Sequence, residues 1–154
     1  MEINRRIFLI ISFFILTLVS CQTKKVILYE KYENLDSEKK SEVDEYLTNA
    51  KKLIPKKESE IILMFQYNCF FDKSLKLNNG YETKFPKISN KNHYGQRFAA
   101  FEKKNGNIKI SLSNGRKFLI NQKDGYDYIG VCYNEKESKL YIEYFDYPHM
   151  LVLE

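Results

Sequence analysis

The sequence predicts an α+β fold in which one amphipathic helix packs on a twisted antiparallel β-meander sheet. Two observations predict it. One apolar stripe at helical spacing lies in the first half of the chain, and four Asn-Gly or Asp-Gly pairs separate segments rich in β-branched and aromatic residues further on. Because a helix with one apolar face must bury that face, a sheet beside it is the expected partner. A partly closed β-barrel is the alternative.

The helix is predicted from apolar residues that recur every three or four positions. They are Val43, Tyr46, Leu47, Ala50, Leu53 and Ile54. Asp36 and Ser37 are both suited to cap the start of this helix, and Ser41 with Asp44 fits a capping box one turn later. Pro55 is predicted to end it, because proline lacks the backbone N–H that a helix interior needs.

The strands are predicted from the segments that flank the turn pairs. They fall near 61–68, 70–77, 81–86, 97–103, 108–113, 117–122, 126–133 and 140–147, with extended segments at 26–32 and 150–153. Asn-Gly and Asp-Gly accept the positive φ angles of type I′ hairpin turns. Since every connection among the last five long strands is short, these five are predicted to form an antiparallel meander.

The N-terminus carries the pattern of an export signal. Arg5 and Arg6 precede an apolar run at 7–19, which is shorter than the roughly 20 residues of a membrane span. The run ends in Leu18-Val19-Ser20-Cys21 and is followed by polar residues. This ending resembles the lipobox of bacterial lipoproteins. An ordinary signal peptide with a chance cysteine and an uncleaved anchor are the alternatives.

The resemblance to bacterial lipoproteins covers only residues 1–21, but it implies a defined maturation. The Cys21 thiol receives a diacylglyceryl group, and a signal peptidase cuts before Cys21. The chain then divides into a signal peptide (1–20), a short lipid-anchored tether (21–25) and one globular α+β domain (26–154). No Asp follows Cys21, which in Gram-negative bacteria resembles the pattern sent to the outer membrane, facing the periplasm.

The charge of the chain argues against nucleic acid as a partner. The formal net charge is +5, and residues 1–20 hold a net +1 of it through Arg5, Arg6 and Glu2, which leaves +4 on the mature chain. The lysines are scattered in pairs between acidic residues instead of clustering on one element with aromatic residues among them. They are predicted to be solvated surface.

Two cysteines remain once Cys21 carries lipid. In an oxidising envelope compartment, Cys69 and Cys132 are candidates for a disulfide. Strand alternation places Cys69 on the inward face that also holds Phe65 and Phe71, if the strand continues through it. Two buried free thiols that act as small hydrophobic groups are the alternative.

No chemical motif stands out in the mature chain. His93, Tyr94 and Arg97 lie close together in its longest stretch without strand pattern, which is predicted to be a polar binding loop or a plain connection between two parts of the sheet. His149 has no evident carboxylate partner, and no Cys and His spacing fits a metal site. The sequence therefore predicts no catalytic residue, metal or cofactor.

Aromatic residues crowd the last hairpin. Alternation puts Tyr141, Glu143, Phe145 and Tyr147 on one face of the last strand, and Leu140, Ile142 and Tyr144 on the other. A face rich in tyrosine is suited to binding, although ordinary cross-strand packing explains it as well.

We therefore expect a non-catalytic, lipid-anchored envelope protein that binds a protein or peptide partner. Its expected membrane contact is the lipid on Cys21. A small envelope hydrolase with a His93 and Arg97 loop site is one alternative, and an inhibitor or immunity-type protein is the other.

Overall fold

Two β-sheets pack against each other in the computed structural model, which describes residues 23–53, 56–87 and 95–149. The described strands are β1 (Lys24–Glu30), β2 (Glu60–Gln66), β3 (Ser74–Leu77), β4 (Glu82–Lys84), β5 (Gln96–Glu102), β6 (Ile108–Leu112), β7 (Lys117–Ile120), β8 (Tyr128–Asn134) and β9 (Lys139–Phe145). The helices are α1 (Ser37–Leu53) and a single turn, α2 (Tyr67–Phe70), with 3₁₀ turns at Tyr32–Asn34 and Lys103–Asn105. In the described residues the strands do not form one partly closed barrel.

The large sheet has the strand order β1-β9-β8-β2-β5, and the small sheet has the order β4-β3-β6-β7. The small sheet is antiparallel throughout, whereas the large sheet is mixed, because β1 runs parallel to β9 and β2 runs parallel to β8. The mostly β character of the chain agrees with the sheet that was predicted, but its topology does not.

The predicted five-strand meander is wrong. β5 pairs with β2, β6 pairs with β3 and β7, and β8 pairs with β9 and β2. The turns at Asn105-Gly106 and Asp124-Gly125 carry the chain from one sheet to the other instead of reversing it within a sheet. A short connection is compatible with both outcomes, so turn residues alone do not distinguish them.

The other two turns do close hairpins, but with three residues instead of two. In the first, the Gly80 amide donates to the Leu77 carbonyl at 3.2 Å, and the Leu77 amide donates to the Tyr81 carbonyl at 2.9 Å. Gly80 has a φ of 90° while Asn79 keeps a negative φ. This is a type I turn followed by a left-handed glycine, not a type I′ turn. The hairpin at Asn114-Gly115 repeats it.

The predicted strand at 70–77 is half wrong, because the chain folds into α2 before β3 begins. The helical turn places Phe70 in the core, where it is fully buried and its ring centroid lies 5.2 Å from that of Phe85. Asp72, at φ 54°, completes the reversal, and its amide donates to the Pro86 carbonyl at 3.1 Å.

Helix α1 begins where the sequence predicts. Asp36 is its cap: the Asp36 carboxylate accepts a hydrogen bond of 2.8 Å from the Lys39 amide. Val43 contacts a cluster on the outer face of the large sheet. The predicted stop at Pro55 and the side chains of Tyr46 and Ala50 lie outside what the structure describes, so the full amphipathic stripe stays a prediction.

Strand β1 starts earlier than predicted. Lys24 and Lys25, which were assigned to the tether, are its first two residues and pair with Lys139 and Leu140 of β9. The predicted edge strand at 150–153 lies outside the described residues.

Hydrophobic side chains fill the space between the sheets. Alternate residues of β2, β5, β8 and β9 face those of β3, β6 and β7 in one cluster. A smaller cluster of Leu35, Ile62, Met64, Phe145 and Tyr147 lies on the outer face of the large sheet, the face that turns away from the small sheet. Since burial of each such side chain contributes about 1.5–3 kcal/mol, the large sheet is stabilised from both faces.

Candidate functional site

A row of cross-strand neighbours on the outer face of the large sheet defines the candidate site. Met64 of β2 lies opposite Gly130 of β8, Gly130 lies opposite Glu143 of β9, and Glu143 lies opposite Leu28 of β1. Side chains of such neighbours point to the same face of the sheet and lie side by side, so they act as one surface. The row therefore places one carboxylate between a residue without a side chain and an exposed leucine.

Gly130 leaves a gap in the middle of this face. A Cβ atom built on Gly130 would lie 3.2 Å from Oε2 of Glu143 and 3.6 Å from Cε2 of Phe145. The Glu143 carboxylate and the Phe145 ring therefore lie partly in the space that a side chain at position 130 would need. We call this place the Gly130 hollow; its lining is Met64, Gln66, Gln96, Gly130, Glu143, Phe145 and His149. Its volume of about 10 Å³ matches a single water molecule.

A wider depression continues from the hollow to the edge of the sheet. This acidic groove, of about 220 Å³, is lined by Leu28, Tyr29, Glu30, Glu143, Tyr144 and Phe145. Glu143 and Phe145 belong to both the groove and the hollow. The groove thus runs across β9 from the edge strand β1 to the interior of the sheet face.

Two carboxylates converge on the acidic groove. Glu30 accepts a hydrogen bond of 3.0 Å from the Tyr147 hydroxyl, which fixes its side chain on the floor of the groove. Glu143 is half-buried. Among the described residues, no Lys or Arg side chain lies within ion-pair distance of either carboxylate. A cation from outside would therefore meet two acceptors that are already in place.

The electrostatics of the groove follow from burial. Burial raises the pKa of Glu143, and the negative charge of Glu30 raises it further. Burial also raises the pKa of Tyr147, as does its hydrogen bond to Glu30, so this phenol stays a donor. A cation in the groove would favour the ionised form of Glu143, and its binding is linked to the release of a proton.

His149 closes one side of the hollow as an aromatic surface. Its ring stacks on Phe145, with centroids 4.5 Å apart and planes 9° apart. Burial lowers the pKa of His149, and Lys39 adds to this, although Glu30 acts in the opposite direction. The imidazole is therefore neutral near neutral pH and does not compete for the carboxylates as a cation.

A buried acceptor points to the polar character of the hollow. Oε1 of Gln96 is inaccessible to solvent and has no hydrogen-bond partner among the described residues. Gln96 lies opposite Gln66, so two amide side chains sit at the inner end of the site. An unpaired buried acceptor costs about 1–3 kcal/mol, and a donor group in the hollow would recover that cost.

The predicted cysteine pair lies close to this face. The structure joins Cys69 of α2 to Cys132 of β8 by a disulfide, with the Cα atoms 5.1 Å apart and the two Sγ atoms 2.02 Å apart. Cys69 lies on the helical turn, not on the continuous strand from which its inward direction was predicted. Cys132 is the cross-strand neighbour of Tyr141, one row away from Glu143.

The structure describes only the C-terminal end of the predicted polar loop. His93, Tyr94 and Cys21 lie outside the described residues. Arg97 lies on β5, the edge strand opposite β1, with its guanidinium carbon 5.5 Å from the centre of the Tyr67 ring. Gln96 and Arg97 alternate, so Arg97 points away from the face that carries the hollow. The structure does not bring Arg97 to the acidic groove.

Sequence analysis missed Glu30 and Gly130 as site residues. It placed Glu143 on an aromatic face but gave it no role. The available signal was that one acidic residue interrupts the row Tyr141, Phe145, Tyr147. An acid in the middle of an apolar face requires either a buried partner or an opening, and here it lines an opening.

In the residues that the structure describes, none of the helices has the length and apolar character needed to cross a membrane. Within the same residues, no three His, Cys, Asp or Glu side chains come together as a metal site would require.

Comparison of the chain with family models, with curated proteins and with solved structures finds no match in any of the three.

Proposed function

We propose that this chain is a lipid-anchored binding protein of the bacterial cell envelope whose acidic groove takes a positively charged group from a partner. The observation that carries the proposal is the convergence of Glu30 and Glu143 on one groove without a cation among the described residues. A volume of about 220 Å³ suits a lysine or arginine side chain, or the terminal amine of a peptide. No reaction is required, since the groups that meet there bind and orient.

Three features support the envelope location. The N-terminal lipobox pattern assigns Cys21 to a lipid anchor. The Cys69–Cys132 disulfide suits an oxidising compartment such as the periplasm. The start of β1 at Lys24 leaves only residues 22 and 23 between the anchor and the sheet. In a Gram-negative host we propose the outer membrane, on its periplasmic side, because no Asp follows Cys21.

The helix takes part in shaping the groove. Val43 contacts the cluster that holds Phe145 and Tyr147. Phe145 lies opposite Glu30 in the sheet, and the Tyr147 hydroxyl donates to Glu30. We propose that the remaining apolar stripe of α1 packs on the same face, as the sequence periodicity predicts. The helix then borders the groove where Phe145 and Tyr147 lie.

The groove is tested with a defined cationic probe. The full-length lipidated protein in detergent micelles is titrated calorimetrically with a tetralysine amide peptide, and with the same peptide acetylated on every Nε atom and on the N-terminal amine. We expect heat of binding only from the charged peptide. Loss of one half-buried carboxylate–ammonium pair costs roughly 1–2 kcal/mol, so Glu30→Gln/Glu143→Gln should weaken binding about tenfold or more.

A matched control carries the same change of charge elsewhere. Glu58→Gln/Glu82→Gln removes two exposed carboxylates away from the groove and should leave the affinity unchanged within about twofold. Equal losses in both double variants would mean that the peptide reads net charge alone, and the groove would be rejected. Binding should also weaken as the pH falls through the raised pKa of Glu143, because the protonated acid no longer attracts a cation.

The anchor is tested separately. Metabolic labelling with a clickable fatty-acid analogue should mark the wild type and not Cys21→Ser. Cys69→Ala, which removes a different cysteine, should keep the label. If Cys21→Ser is labelled as strongly as the wild type, the lipoprotein assignment is refuted.

A further inference from the structure

The exposed hydrophobic side chains of this protein are concentrated on one edge. Among the side chains that the structure describes, the large hydrophobic ones with high exposure are Ile27 (45%), Leu28 (53%), Tyr29 (49%) and Leu119 (41%). Three lie on β1 and the fourth on β7. Isolated exposed apolar residues are normal, but a contiguous set on an otherwise polar surface marks a place of contact.

The two strands that carry these residues are neighbours in space. Lys25 of β1 donates a hydrogen bond of 2.8 Å from its Nζ atom to the Leu119 carbonyl, which ties the edge of the large sheet to the edge of the small one. The Tyr29 ring stacks on the Tyr144 ring with centroids 5.1 Å apart, and its centroid lies 5.5 Å from that of the Tyr126 ring. We define the edge patch as Lys24, Lys25, Ile27, Tyr29 and Leu119. Leu28 is left out, because it points to the opposite face of β1 and lines the acidic groove.

The composition of the edge patch fits the surface of a bilayer. Tyrosine is favoured at the membrane–water interface because its ring is apolar and its hydroxyl is polar. Ile27 and Leu119 supply aliphatic area, and the two lysines at the start of β1 each add about 1 kcal/mol of attraction to anionic headgroups. Glu30 and Glu143 lie on the outer face of the sheet, around the edge from Tyr29.

The position of the patch in the chain selects the bilayer over other occupants. This step rests on the proposed anchor at Cys21. Three residue steps separate Cys21 from Lys24, a reach of about 10 Å. The first residue of β1 is therefore held at the headgroup surface in every orientation of the domain, and only the direction of β1 is left open.

We propose that β1 lies flat on the bilayer, with Ile27, Tyr29 and Leu119 at the boundary between headgroups and acyl chains. An upright domain would carry Tyr29 away from the membrane by five residue steps, about 17 Å, and leave the patch in water. The flat orientation buries the patch beside the lipid that already holds the chain. It also leaves the acidic groove open at the membrane surface, toward partners that approach along it.

The absence of tryptophan makes this orientation measurable. The chain has no Trp, so Tyr29→Trp introduces a single reporter into the patch. The full-length lipidated variant is reconstituted into phosphatidylethanolamine and phosphatidylglycerol vesicles whose acyl chains carry bromine, a short-range quencher. Tyr81→Trp is the control, because the β3–β4 hairpin that holds Tyr81 contacts β5, the edge strand opposite β1, through the Asn79 amide.

The two edges of the large sheet are four strand spacings apart, about 19 Å. We expect several-fold stronger quenching of Tyr29→Trp than of Tyr81→Trp, together with a blue shift of its emission. Leu119→Trp should show the same strong quenching and blue shift as Tyr29→Trp. This second variant is needed because Tyr29→Trp can disturb the stacking of residue 29 on Tyr144. Mass spectrometry that finds lipid on Cys21 separates a failure of the anchor from a failure of the orientation.

Equal quenching at Tyr29 and Tyr81 would overturn the proposal. So would weak quenching of Tyr29→Trp combined with emission that depends on the ratio of protein to lipid, since this pattern means that a second copy covers β1 edge to edge.

Discussion

Removal of the disulfide should show how much of the stability depends on a single covalent link. Cys69 and Cys132 are separated by 63 residues, and the loop that they close contains β3 to β7 of the two sheets. The change to make is Cys69→Ala/Cys132→Ala. Alanine is used because Cys69 is buried, and serine would add an unpaired hydroxyl there.

The magnitude follows from the length of the loop. In the chain-entropy model, closing a loop of 63 residues lowers the entropy of the unfolded state, which destabilises that state by about 4.3 kcal/mol at 25 °C. The free energy of unfolding should fall by about that amount in the double variant. With a urea dependence near 2 kcal/mol per M for a domain of this size, the midpoint should move down by about 2 M.

The assay is urea unfolding of the full-length protein in micelles, followed by far-ultraviolet circular dichroism, with and without dithiothreitol. Reduced wild type and the double variant should unfold at nearly the same urea concentration, and dithiothreitol should not affect the variant. Oxidised and reduced wild type with one common midpoint would refute the reasoning. Two reactive thiols in the native protein would do so too.

Two further predictions concern Asp127 and Gly115. The Asp127 carboxylate accepts hydrogen bonds of 2.7 Å from the ammonium groups of Lys56 and Lys103. Burial raises the pKa of Asp127, but these two hydrogen bonds and the charges of the lysines lower it by more. Asp127→Asn should cost about 1–3 kcal/mol at pH 7 in urea unfolding. Because the pKa is lower in the folded state, the difference from wild type should shrink below about pH 4, and a constant difference down to pH 3 would contradict it. Gly115 has a φ of 84° with open space around its Cβ position, so Gly115→Ala should cost about 1–2 kcal/mol through backbone strain alone. Gly115→Asn should recover part of the loss in the same measurement, and equal stability of all three proteins would exclude strain at this turn.

The sequence predicted local structure well and sheet topology badly. The cap at Asp36, the hairpins at Gly80 and Gly115, and most strand segments are where the local pattern puts them. Each depends on a few neighbouring residues. By contrast, β2 pairs with β5 and β8, which lie about 35 and 65 residues later in the chain. No turn residue encodes such a choice, because it is decided by which apolar faces meet in the folded core.

The candidate site was lost for the same reason. Glu30 and Glu143 stand 113 positions apart in the sequence, and they meet only because β1 pairs in parallel with β9. Gly130 looked like one more small residue in a strand, although its missing side chain makes room for the Glu143 carboxylate. The periodicity of one strand shows on which face of the sheet a residue lies, but the partner strand decides which residues lie beside it on that face.

The parallel pairing of β1 with β9 also constrains the order of assembly. The first described strand of the chain finds its only described neighbour in the last one, with Lys24 opposite Lys139. A chain that emerges N-terminus first therefore holds β1 unpaired until synthesis is nearly finished. If the proposed anchor at Cys21 forms early, the membrane retains that waiting strand, and the final step of folding brings β9 back to the place where the chain was first tethered.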